Sequence, residues 1–154
     1  MSSPALTLSL IERVLFLRQV SLFADLPPAD LERVASVADE RGYADGEQVA
    51  TQGELGQELY IVVNGTLRVI QERDGSEHEL ALRTAGDVVG EMSLITQSPR
   101  IASLVAAGDV RTLRIGHREF GTILRERPSV GLAVMRVLAT RLAEGSTPPV
   151  STLT

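Results

Sequence analysis

Apolar residues recur at helical spacing near both ends of the chain and at strand spacing in the middle. Leu10, Ile11, Val14, Leu15 and Leu17 share a broad face of a helix predicted over Leu10–Val20. Ser21–Leu26 interrupts it, and Pro27 and Pro28 then open a second helix in which Leu31, Val34, Ala35 and Ala38 recur at helical spacing. After Gly42 the period shortens. Gln48–Gln52, Glu58–Val63, Thr66–Glu72, Glu77–Leu82, Ile101–Ala106 and Val110–Ile115 alternate or run apolar over strand lengths. Gly53, Asn64-Gly65, Asp74-Gly75, Gly86-Asp87 and Gly108-Asp109 separate them, and Asn-Gly and Asp-Gly tolerate the positive φ of tight hairpin turns. Helical spacing returns in Arg118–Arg127 and Ser129–Ala143, split by Pro128. Val130, Val134, Val137, Leu138 and Leu142 form the apolar stripe of the last segment, suited to packing on a barrel.

Many short strands with regular turns predict a mainly β fold with flanking α-helices, closed as an antiparallel jelly roll. The chain divides into a flexible N-terminus at 1–9, a domain at 10–143 and a flexible tail at 144–154. Within the domain, helices occupy 10–40, the jelly roll 41–117 and C-terminal helices 118–143.

Composition narrows the functional classes. A chain of 154 residues with 44% hydrophobic content is enough for one domain with a proper core. Only 3% is aromatic, so Leu, Val, Ile and Ala must build that core. The absence of Cys excludes disulfides, thiolate metal sites and Cys nucleophiles. A net charge of -5 without a basic cluster argues against a nucleic-acid surface. No apolar run approaches the roughly 20 residues a membrane span needs, which predicts a cytoplasmic protein or domain. The two histidines, His78 and His117, fall in a hairpin strand and at a helix start, unlike the grouped ligands of jelly-roll metalloenzymes. No nucleophile elbow is present either, so no enzymatic activity is expected.

The segment GDVVGEMSLITQSPRIASLVA, Gly86–Ala106, carries the candidate chemistry. Gly86-Asp87 makes a turn, Val88-Val89 a short buried strand, and Gly90 permits close backbone approach or positive φ. Glu91 to Ser98 is predicted to form one or two helical turns, stopped by Pro99. Backbone N–H groups at the start of such a turn favour an anion, and Arg100 adds a planar fork matched to phosphate oxygens. Glu91 only accepts hydrogen bonds, and a ribose hydroxyl is its natural partner. On spacing alone, the same two residues also fit an unrelated surface pair.

Gly86, Asp87, Gly90, Glu91, Met92, Ser93, Leu94, Pro99, Arg100, Ile101 and Ala102 together resemble the phosphate-binding cassette of the cyclic nucleotide-binding domain family. That family includes catabolite-activator-type regulators, kinase regulatory subunits and gated channels. QGELGQELYIVVNGTLRV is a second match, and VSLFADLPPADLERVA is similar to the family's entry motif. The resemblance covers Val20 to Leu142. It implies a ligand site of Val89, Gly90, Glu91, Met92, Ser93, Arg100, Ile101 and Ala102, with no metal and no cofactor beyond the nucleotide. Glu91 would accept from the ribose 2′-hydroxyl, Arg100 would pair with the cyclic phosphate, and backbone N–H groups near Ser93 and Ala102 would complete the cradle. Ile101 replaces the usual Ala, Ser or Thr. Lacking a hydroxyl associated with guanine contacts, it favours cAMP over cGMP, while its bulk is also compatible with a degenerate fold that serves as an interaction module without nucleotide. The resemblance further implies an effector, unidentified from the sequence, that responds to the C-terminal helices, and makes a homodimer plausible.

Overall fold

The computed structural model describes residues 7–91 and 96–143, with residues 141 and 142 as backbone only. Ser9 starts α1 (Leu10–Arg18) with a capping box: its hydroxyl accepts from the Glu12 N–H at 3.2 Å, and the Glu12 carboxylate accepts from the Ser9 N–H at 2.9 Å. The helix closes two residues before the expected Val20. Beyond it, the N–H groups of Val20, Phe23 and Leu26 each bond to the carbonyl three residues back. Those tight turns bury Val20, Leu22, Phe23 and Leu26, whereas Leu10, Ile11 and Leu15 on α1 remain exposed. The anchor of the N-terminal region is therefore the turn after the helix, more than the helix itself.

α2 (Pro28–Val37) begins on a proline, whose missing N–H costs nothing at that position. After Ala38 the chain enters β1 (Asp39–Tyr43), so the sheet starts two residues before the expected boundary at 41. No apolar period announces this strand. Pairing with β6 (Ser103–Gly116) defines it, from Asp39 opposite Arg114 to Tyr43 opposite Val110. β2 (Gln48–Ala50) also pairs with β6. β3 (Glu58–Arg73) lies between β6 and β4 (Ser76–Arg83), and β5 (Val88–Val89) adds to β3. All these pairs are antiparallel, and with the flanking helices they make a jelly roll.

Two of the turns expected to separate strands are absent. Asn64-Gly65 and Gly108-Asp109 do not reverse the chain; they lie inside β3 and β6, which pair with one another from Glu58 opposite Gly116 to Ile70 opposite Ser103. Both glycines have positive φ, +88° and +76°, and the register shifts where they meet. Each bends its strand as a bulge does, which is how a jelly roll turns its corners without ending a strand. Asp74-Gly75, by contrast, is a true hairpin turn between β3 and β4, with φ of 56° and 77°. Ser103 rather than Ile101 begins β6.

Side-chain alternation along β3 divides the interior. Leu59 and Ile61 join Leu113 and Ile115 of β6 against the helices, in a core with Phe23, Leu31 and Phe120. Tyr60 points to the opposite face and packs with Val69, Val89, Ala102 and Leu104. β3 is thus a wall shared by the helical core and the barrel interior.

α3 (His117–Glu126) and α4 (Pro128–Ala143) complete the chain, each beginning one residue earlier than the pattern predicts. Val130 and Val134 are buried, while Val137 and Leu138 are partly buried against the same core. The Leu142 side chain lies outside the described residues. Polar contacts fix the junction of α3 and α4 to α2. Arg33 forks onto Glu126 at 2.8 and 3.1 Å, and the buried Asp30 accepts from Arg127 at 2.7 Å and Ser129 at 3.2 Å. Of the two terminal segments expected to be flexible, residues 1–6 and 144–154 fall outside the described part. Within residues 7–9, the Leu8 N–H donates to Glu40 and Ser9 caps α1.

Candidate functional site

The turn before β5 is tightly built. Gly86 adopts φ of +90° and donates to the Val62 carbonyl, while the Asp87 carboxylate accepts from the Thr84 N–H at 2.8 Å. This sets Val88 opposite Ile61 and Val89 opposite Tyr60. Gly90 then takes φ of +82°, a conformation costly for a side chain with Cβ, and Glu91 follows with only 1% of its surface exposed.

Arg100 arrives from the other direction. Its N–H donates to the Glu54 carbonyl at 2.8 Å, its own carbonyl accepts from Gly53 at 2.8 Å, and Gly56 donates to Ser98 at 2.9 Å. Pro99 joins the same strap as an isolated bridge partner of Leu55. Thr96–Ser98 is not helical, so the predicted helical turn does not reach Pro99; Met92, Ser93 and Leu94 lie outside the described residues. What positions Arg100 is this ladder to the 53–56 loop, formed between segments more than forty residues apart in sequence.

The Arg100 side chain is 4% exposed. Its Nη2 donates to the Glu58 carbonyl at 2.8 Å, and its Cζ lies 5.6 Å from the centroid of the Tyr60 ring. The Tyr60 hydroxyl donates to the Glu58 carboxylate at 2.7 Å. Burial, reinforced by that bond to Glu58, pushes the hydroxyl well above the usual phenol range, so it remains a donor at neutral pH. The guanidinium borders a cavity of about 450 Å³ whose other walls include Ala50, Thr51, Leu55, Glu58 and Tyr60. This volume falls in the range of small-molecule sites, roughly 300 to 1,000 Å³.

A carboxylate and a guanidinium are thus both withdrawn from water within one cassette, so neither is a surface charge. Burying charge is expensive, and such groups have to be held by specific contacts. The remaining expected site residues divide. Val89 and Ala102 are fully buried, and their side chains pack with Tyr60 and Leu104 behind the cavity. Ile101 points outward, 36% exposed, its carbonyl accepting from Gln71 at 3.2 Å, and it is not part of the cavity wall. Met92 and Ser93 lie outside the described residues. Glu58 and Tyr60, which line the cavity and touch Arg100, are not among the residues the sequence pattern singled out. One signal was available: Tyr60 is one of two tyrosines in a chain of 3% aromatic content, two positions from a carboxylate on the same strand.

The model of the cyclic nucleotide-binding domain matches residues 40–127, and the chain belongs to that family. Among its relatives is the cyclic AMP receptor protein of Thermus thermophilus, 36% identical over 80% of this chain and 57% of that protein. A cAMP-dependent protein kinase regulatory subunit of Blastocladiella emersonii is 32% identical over 71% of this chain and 27% of its own length. The chain therefore spans little more than half of the first of these curated relatives and about a quarter of the second. Among solved structures, the N-terminal domain of a transcriptional regulator from Streptomyces coelicolor A3(2) superposes with a TM-score of 0.77 at 31% identity, covering 84% of this chain and 92% of that one. These relatives are receptors and regulatory proteins. Among the described residues, no helix is long and apolar enough to cross a membrane.

Proposed function

We propose that this chain is a cyclic-nucleotide sensor that binds cAMP in preference to cGMP and passes the occupancy of its cavity to an effector through α3 and α4. The observation that carries the reading is Arg100: a buried guanidinium at the edge of a nucleotide-sized cavity. Phosphate is the ligand charge that such a fork suits. Glu91 would take the ribose hydroxyl, with backbone N–H groups near Ser93 and Ala102 closing the cradle. The names of the receptor and kinase-subunit relatives support cAMP as the nucleotide. The output is a population shift, in which ligand favours one placement of α3 and α4 over another, the contacts of Asp30 and Arg33 with the α3–α4 junction being those it would trade. In this reading the protein works in the cytoplasm, alone or as a homodimer.

Calorimetric titration with cAMP and cGMP tests the proposal. With cAMP at one hundred times its Kd, the fold should gain about 2.7 kcal/mol, seen as a rise in Tm. Absence of both heat and thermal shift at millimolar nucleotide would sink it.

The alternative, an interaction module without nucleotide, depends on Ile101 obstructing the pocket, and an outward-facing Ile101 removes that reason. Ile101→Ala should leave the Kd for cAMP within about twofold, since the side chain is partly exposed and does not line the cavity. A tenfold gain in affinity on that substitution would restore the obstruction.

A further inference from the structure

Two neighbours on β3 orient the cation at the cavity. Here the Glu58 backbone carbonyl fixes one edge of the Arg100 guanidinium, and the Tyr60 ring lies under the cation at 5.6 Å. A carbonyl and a ring face both attract a guanidinium, and together they fix its plane. The ring is itself locked, because its hydroxyl donates to the Glu58 carboxylate at 2.7 Å. That carboxylate is also steadied by Arg114 at 3.8 Å, which bonds to Asp39 at 2.9 Å. A line of contacts thus runs from β1 through β6 and β3 to the edge of the cavity.

We infer that Tyr60 and Glu58 are positioning residues that preset the Arg100 fork for an anionic ligand, Glu58 by its carbonyl and by orienting the ring, Tyr60 by fixing the guanidinium plane. The inference rests on the cyclic-nucleotide reading of the cavity. Its physical content is preorganisation: a fork already held in plane loses less freedom when phosphate binds, so affinity is gained without a ligand contact from either residue.

Two substitutions and one spectroscopic measurement test it. Tyr60→Leu removes the ring and should weaken cAMP binding about tenfold by calorimetry, the scale of a desolvated cation–π contact. Tyr60→Phe keeps the ring but loses its bond to the Glu58 carboxylate, so it should bind between the parent and Tyr60→Leu, about threefold weaker than the parent. Since the protein has two tyrosines and no tryptophan, Tyr43→Phe leaves Tyr60 as the sole emitter. Its fluorescence should then change with added cAMP and saturate with the calorimetric isotherm, a response that a purely structural Tyr60 would not give. Tyr60→Leu binding within twofold of the parent, Tyr60→Phe binding as tightly as the parent, or emission unmoved at saturating cAMP would each overturn the inference. Should Tyr60→Leu fail to fold, the emission of Tyr60 decides. A parent chain that binds no cyclic nucleotide overturns this inference and the sensor reading together; a parent that binds while Tyr60 proves indifferent overturns this inference alone.

Discussion

Arg100→Ala is expected to weaken cAMP binding by roughly 2 to 5 kcal/mol, which is about 30- to several-thousand-fold in Kd. The size follows from where the guanidinium lies. At 4% exposure it is shielded from water, so a phosphate entering the cavity would lose its hydration and, in the variant, receive no cation in return. The fold should suffer less, because the strap that holds this segment runs through backbone groups of Gly53, Glu54, Gly56 and Arg100, which the substitution leaves intact. Arg100→Lys separates charge from geometry. An ammonium keeps the charge but cannot present a planar fork, so binding should fall between parent and alanine variant. Calorimetry on each folded variant checks this, and an alanine variant binding within threefold of the parent would refute the phosphate assignment.

Gly65→Ala should cost the fold about 3 kcal/mol, about 10 °C in Tm for a chain of this length. Two penalties coincide at this position. The residue sits at φ of +88°, where an added Cβ is strained, and that Cβ would overlap the Asp109 carbonyl oxygen and lie 2.9 Å from the Val110 Cα. Both obstacles are backbone of β6 and neither can swing aside. Gly75→Ala is the control. It shares the left-handed conformation, at φ of +77°, but has nothing within 4 Å, so only the dihedral penalty applies, about 1 kcal/mol. Chemical denaturation of the two variants reads the difference. Equal losses would mean that the close approach of β3 and β6 at Gly65 is not what demands glycine there.

Much of the fold could be read from local signals because local chemistry decides it. The Asp74-Gly75 turn, the prolines that open α2 and α4, and the buried Val88-Val89 pair were all legible for that reason. Asn64-Gly65 was misread for an equally physical one. Positive φ serves a hairpin and a strand bend alike, and only the pairing of β3 with β6 distinguishes them. β1 escaped notice since Asp39, Glu40 and Arg41 present no apolar alternation, and its register comes entirely from a partner some seventy residues away. α1 shows the converse, an apolar face that is largely exposed while the turn behind it is buried.

The candidate site divides along the same line. From its sequence alone the chain determined which residue types stand in the cassette, Glu91 after a permissive Gly90 and Arg100 after Pro99, since carboxylate, guanidinium and glycine carry their chemistry wherever they are placed. Tertiary structure decided what those groups meet. Burial of Glu91 and Arg100, the Tyr60 ring and Glu58 carbonyl at the guanidinium, the cavity beside it and the outward turn of Ile101 all arise from contacts between distant segments. Desolvation and orientation belong to those contacts and to no single stretch of sequence, which is why the residues were visible first and their environment only in the folded chain.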